Sequence, residues 1–177
     1  MKALFLAIQA QLVNNLVLPD GIKFNTASIA ESIIWWNNQV RDFEKLTQMG
    51  VPLPFIAIEF MSYDIKQLGN GDQFYDNLII RVHIVKEFYA PTDGLSVNTD
   101  LTMPDLKDAV YQCLQKFEPQ GAAQFIRRHE KPNHDFDNLV IWEQEYKTNY
   151  IDFLMDEPVA GISNTPTYEV DVTIQEP

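Results

Sequence analysis

The run NLIIRVHIVKEFY, residues 77–89, places Leu78, Ile80, Val82 and Ile84 on one side of an extended chain. Ile79, Arg81, His83 and Val85 fall on the other. Successive side chains of a strand point to opposite faces, so this pattern demands a strand with one wholly apolar side buried against something else. A second run, VPLPFIAIEF at residues 51–60, alternates Ile56, Ile58 and Phe60 with Phe55, Ala57 and Glu59. Pro52 and Pro54 suit a strand entrance and not its middle, which predicts a strand from Phe55 to about Ser62. Antiparallel pairing of the two runs lays their apolar faces side by side and sets Glu59 on the side of Arg81 and His83.

The connection between these strands, Tyr63 to Asp76, has Gly69-Asn70-Gly71-Asp72 at its centre. At about 14 residues it is long for a compact domain and reads as a candidate contact loop. GNGD lacks the lysine and the strand-to-helix setting of a phosphate loop, so its glycines are expected to supply positive φ in a turn.

Two amphipathic helices flank the pair. Leu4, Phe5, Ile8 and Leu12 recur at helical spacing within residues 2–15, and Leu106, Val110, Leu114 and Phe117 do so in PDLKDAVYQCLQKF. For the second helix Thr102 reads as N-cap, with Pro104 in the first turn and Lys116 in the last. Between them ASIAESIIWWNNQVRDFEKL fits either helix or strand; residues 32–37 lean to strand because Ile33 to Trp36 are β-branched and aromatic. APTDGLSVNTDLTMP is polar and turn-rich. Beyond Pro119-Gln120-Gly121, AQFIRRHE and NLVIWEQEYKTNYIDF form a second hairpin around KPNHDFD. Last, TYEVDVTIQ alternates Tyr168, Val170, Val172 and Ile174 with Glu169, Asp171, Thr173 and Gln175, a strand in need of an edge to join.

A chain of 177 residues with 46% apolar and 12% aromatic residues suits one compact domain. Its 13 Lys plus Arg against 25 Asp plus Glu leave a formal charge of −12, which disfavours a nucleic-acid binder. Cys113, the single cysteine, excludes an intrachain disulfide and a Cys-rich zinc site, fits a reducing compartment, and reads as inert core. The opening MKALFLAIQAQL imitates a signal peptide, but Gln9 and Gln11 interrupt it and no small-residue cleavage site follows. No stretch is long enough to span a bilayer. A soluble, cytoplasmically made protein is the expectation.

The search for chemistry yields no catalytic, cofactor-binding or metal-ligating assignment. His129, Glu130, His134, Asp135 and Asp137 are metal-ligand types, yet their spacing matches no recognised site and a solvated hairpin turn is preferred. Glu59 with Arg81 or His83 would need a pocket and a third orienting group to act as acid or base, so a cross-strand ion pair is preferred. Ser28, Ser32, Ser62, Ser96 and Ser163 lie in no nucleophile-elbow pattern, and Trp35 and Trp36 read as core rather than a stacking platform.

PLPFIAIEF, LGNGDQFYDNLIIRVHIV, the amphipathic helix and FIRRHEKPNHDFDNLVIWEQEYKTNYID, in that order, carry a resemblance. Over about residues 33–152 the chain resembles the tail-terminator and tail-completion proteins of long-tailed phages and prophages, especially those of Bacteroidetes-type elements. The resemblance implies an α+β fold, a mainly antiparallel sheet of about four strands packed against two helices. To it this sequence adds the C-terminal strand. It also implies a non-enzymatic ring, commonly a hexamer, that caps the tail tube and meets the head connector. Partners would be further copies of itself, tail-tube protein and connector protein, without cofactor, specific nucleic acid, membrane or small-molecule substrate. The location would be the virion tail, after assembly in the bacterial cytoplasm. Residues 1–157 would be the domain and 158–177 a linker and edge strand. The segment between Pro19 and Gly50 and the extension from Pro158 depart from a minimal member and leave the ring number and the neck role open. Another neck or minor capsid protein is the alternative. An enzyme using Glu59, Arg81 and His83, or the His129 to Asp137 cluster, is a further one, which a closed pocket at either set would favour.

Overall fold

A computed structural model describes residues 1–18, 32–37, 53–68, 71–87, 102–133 and 139–153. In chain order they form α1 (Lys2–Asn15), β1 (Ile33–Trp35), β2 (Phe55–Gln67), β3 (Gln73–Glu87), α2 (Thr102–Leu114), β4 (Ile126–Asn133) and β5 (Leu139–Asp152). The five strands make one sheet in the order β1-β2-β3-β5-β4, antiparallel throughout except for the parallel β1–β2 pair. This is the expected α+β class, with the short β1 as the fifth strand and Ile33–Trp35 extended as the sequence leaned. The C-terminal strand, Tyr168 to Ile174, and the linker before it lie outside the described residues.

Register follows from the two alternating runs. Ile56 pairs with Ile84, Ile58 with Val82 and Phe60 with Ile80, while Ala57 meets His83 and Glu59 meets Arg81. A slip of one residue would turn every one of these apolar side chains to the other face, so the alternation excludes every odd shift of this register. On that apolar face β5 contributes Tyr146 and Tyr150, and both helices pack over it. Leu4, Ile8 and Leu12 of α1 and Met103, Leu106, Ala109, Val110, Cys113 and Leu114 of α2 are buried there. At about 25 cal/mol per Å² of apolar area removed from water, this layer is the main stabilising contribution.

The polar residues of α1 serve the same packing. Gln11 Nε2 donates to the Cys113 carbonyl at 2.9 Å, satisfying an acceptor that the end of α2 leaves unpaired. Gln9 Nε2 donates to the Ile33 carbonyl at 2.8 Å and ties α1 to β1. Burial raises the Cys113 thiol to about 11, so it stays protonated at neutral pH, as expected of core.

Several boundaries differ from the sequence reading. Tyr63 to Asp76 is not a long loop: β2 continues to Gln67 and β3 starts at Gln73, with the Leu68 N–H donating to the Asp72 carbonyl at 2.9 Å and Gly71 at φ 89°. Period-2 burial vanishes in Met61–Gln67, all exposed, so the sequence carries no strand signal there although the ladder persists to Gln67↔Gln73. Lys131, Pro132 and Asn133 belong to β4 and not to a turn; Pro132 is tolerated because β4 is the edge strand. Thr102 is the first helical residue rather than the cap. Lys116 lies past the helix at φ 64°, where its N–H donates to the Phe125 carbonyl at 2.8 Å.

Candidate functional site

Opposite the helices, the sheet carries a small apolar cluster and a charged one. Phe55, Ala57, Val85, Leu139 and Ile141 are buried together, with Trp36 packed against them. Beside them Glu59, Arg81, His83, Glu143 and Glu145 share the face that the β2–β3–β5 register dictates. The Arg81 guanidinium lies 2.7 Å from Glu145, 3.6 Å from Glu143 and 3.8 Å from Glu59. One cation therefore holds three carboxylates in a partly buried setting where pairing is required.

His83 is almost fully buried. Trp36 stacks on its ring at 3.7 Å and 6°, its Nε2 lies 2.9 Å from Glu59, and its Nδ1 is 3.9 Å from Glu143. Burial lowers the pKa of His83, against the hydrogen bond and charge of Glu59, which raise it. A neutral ring donating Nε2–H to Glu59 fits that balance. Burial pushes the Glu143 carboxyl up, but the Asn133 hydrogen bond and the nearby charges of Arg81 and Lys131 outweigh it and hold the acid below its usual range. Asn133 donates to it at 2.9 Å and the Lys131 ammonium lies 3.4 Å away.

Glu59 is thus half of a cross-strand cluster, as the sequence reading preferred. That reading missed Glu143 and Glu145, because which strand lies beside β3 is not written in local periodicity. Trp36 was read as core and packs as such, whereas Trp35 was misjudged: it is 47% exposed, against the Phe5 and Phe60 rings at the sheet edge. Of the metal-ligand types, His129 pairs with Glu145 on the charged face and Glu130 with Gln144 on the helix face, so they cannot meet at one ion. His134, Asp135 and Asp137 lie outside the described residues, and among those described no metal-binding group occurs. Ser32 is buried and Ser62 sits at an irregularity in β2; Ser28, Ser96 and Ser163 are outside the described residues.

Glu130 belongs to a second network, which seats α2 on the sheet. Lys107 Nζ lies 2.7 Å from Glu130 and 5.0 Å from the Trp142 ring centroid, and Arg127 pairs with Glu130 while lying 3.7 Å over Tyr111. Buried Gln144 donates to the Lys107 carbonyl at 2.8 Å and accepts from Tyr146 at 2.8 Å.

The outer half of the β2–β3 hairpin is of another kind. β1 pairs only with Ile56–Ile58, so β2 beyond Glu59 has no strand on its outer side among the described residues. Along it Met61, Tyr63, Ile65 and, at the turn, Leu68 stand exposed, Ile65 at 55%. A long edge bearing apolar side chains is a surface predisposed to pair with another chain. Two open grooves lie farther across the charged face. One, of about 590 Å³, includes Ile126, Arg128 and Lys147; the other, of about 370 Å³, includes Met61, Ile79, Arg128, His129 and Glu145. Neither includes Glu59, Arg81 or His83.

Fold and surface together define an α+β protein with helices on one sheet face, an ion-pair cluster on the other and an apolar strand edge beside it. No family model matches the chain, and no curated protein does. Among solved structures, a chain of the virion of a native gene transfer agent (GTA) particle is similar at a TM-score of 0.45 and 10% identity, covering 85% of this chain and 96% of that one. A likeness of that size bears on neither function nor site.

Proposed function

We propose that this protein is a non-enzymatic structural component of a phage or prophage particle, a tail terminator that closes into a ring on the tail tube and meets the head connector. The observation that carries the reading is the outer edge of β2, Glu59 to Gln67, with Met61, Tyr63 and Ile65 exposed along it. A heterologous contact that closes makes a ring, and such an edge is one half of a contact of this kind. The fold agrees with what the sequence resemblance implied. The charged face supports the same reading, since Arg81, His83, Glu59, Glu143 and Glu145 engage one another across three strands.

The test is electron microscopy of tail-tube protein from the same genetic element, polymerised and mixed with this chain, alongside light scattering of the chain alone. Density at one tube end and arrest of tube growth are expected. A chain that neither self-associates nor binds the tube overturns the reading, as does saturable turnover of a small molecule lost in His83→Gln.

A further inference from the structure

The outer edge of β2 has two unlike faces. Ile65 pairs with Tyr75, and the Tyr63 ring lies 5.1 Å from that of Tyr75, whose side chain belongs to the core on the helix side of the sheet. Tyr63 and Ile65 therefore carry the apolar face out to the rim, where both stand exposed. Asp64 and Lys66 turn the other way; Lys66 is held by Asp76 at 2.6 Å and remains 61% exposed. A strand that fits this edge is apolar on alternate residues and carries an acid opposite Lys66.

Residues 168–175 have that pattern, with Tyr168, Val170, Val172 and Ile174 on one side and Glu169, Asp171, Thr173 and Gln175 on the other. We propose that residues 168–175 of a second copy of this chain pair antiparallel with the outer edge of β2, Asp171 opposite Lys66. That register sets Val172 opposite Ile65, Ile174 opposite Tyr63 and Thr173 opposite Asp64, so apolar meets apolar on one face and no like charges stand directly opposite on the other. A parallel strand with the same Asp171–Lys66 pair would set Glu169 against Asp64. The length of the linker favours a second copy over the chain's own end. β5 finishes at the tip of the β2–β3 hairpin, where Asp152 pairs with Gln73 and Gln73 with Gln67. From there to a strand outside β2 is three inter-strand spacings, about 14 Å, which roughly five extended residues cover. Residues 153–167 are about three times as many, a surplus for folding back and the reach for crossing to a neighbour. The proposal rests on the ring reading above and names the segment that fills its β2 contact.

Disulfide trapping between singly substituted full chains tests it. Chains carrying Ile65→Cys are mixed with tagged chains carrying Val172→Cys under mild oxidation, both free and on polymerised tail-tube protein, and the native Cys113, buried in the core, is left in place. A mixed disulfide is expected, several-fold more abundant than with Asp171→Cys or Thr173→Cys, whose side chains turn to the other face, and lowered several-fold when Lys66→Glu is added. Absence of the mixed disulfide in both settings overturns the proposal, as do equal yields at the three positions. So does a disulfide within one chain as the main product when Ile65→Cys and Val172→Cys are combined. If the trap fails while wild-type chains still form rings on tail tubes, the docking falls and the ring reading stands. If the trap succeeds and the chains make no ring on tubes, the ring reading falls and the docking stands.

Discussion

The imidazole of His83 lies with Nε2 2.9 Å from the carboxylate of Glu59 on the neighbouring strand, under the stacked ring of Trp36. The pair sits where two alternating runs bring their polar positions to one face. Its consequence is a dependence of stability on pH. Burial depresses His83 below its unfolded value of about 6.5, so the unfolded chain binds more protons over the interval between the two values. Stability is therefore full above that unfolded value and is lost as pH falls below it. Urea midpoints are expected to fall between about pH 7.5 and pH 5.5, and His83→Gln to remove most of that slope. The lowered acids Glu130 and Glu143 act in a separate window, where their contribution is lost as pH falls below the ordinary glutamate value.

Arg81 stands among Glu59, Glu143 and Glu145. Replacing it with Met leaves three carboxylates facing one another beside an apolar cluster. The expected cost is about 3 kcal/mol, since removing one partner of a buried pair strands the others. Arg81→Met with Glu143→Gln and Glu145→Gln is expected to recover part of the loss. Chemical denaturation of the set, read as a thermodynamic cycle, checks it.

Gly121 has φ +80°, and a Cβ there would lie 2.8 Å from the Ile151 carbonyl oxygen. That oxygen belongs to the residue whose N–H donates to the Gly121 carbonyl at 2.8 Å, so the backbones cannot separate without losing the bond. Gly121→Ala is expected to destabilise the fold by roughly 1–3 kcal/mol, measurable as a fall in Tm.

Ile65 on the outer edge of β2 is exposed. Ile65→Lys is expected to leave the urea midpoint within about 0.5 kcal/mol of wild type while abolishing ring formation on tail tubes. Ile58→Ala, on the same strand but fully buried, is expected to cost about 2–5 kcal/mol. Unfolding and tube-capping assays on both variants separate assembly from stability.

The elements with strict periodicity were legible in the sequence: α1 to the residue, the apolar faces of β2 and β3, and the side on which those faces meet. Each has one face in the core and one outside it, so burial imprints its period on the residues. The outer part of β2 leaves no such imprint, because from Met61 to Gln67 neither face is buried, and a loop was read where a ladder runs. Lys131–Asn133 misled for a related reason, since a proline at an edge strand costs no ladder bond and looks like a turn. The charged face was half legible. Glu59, Arg81 and His83 came from pairing neighbours in sequence, but β5 lies next to β3 only through a connection that passes α2 and β4. Local pattern fixes which side of a strand is apolar; which strands become neighbours is decided by the packing of the whole chain, and that packing alone brings Glu143 and Glu145 to Arg81.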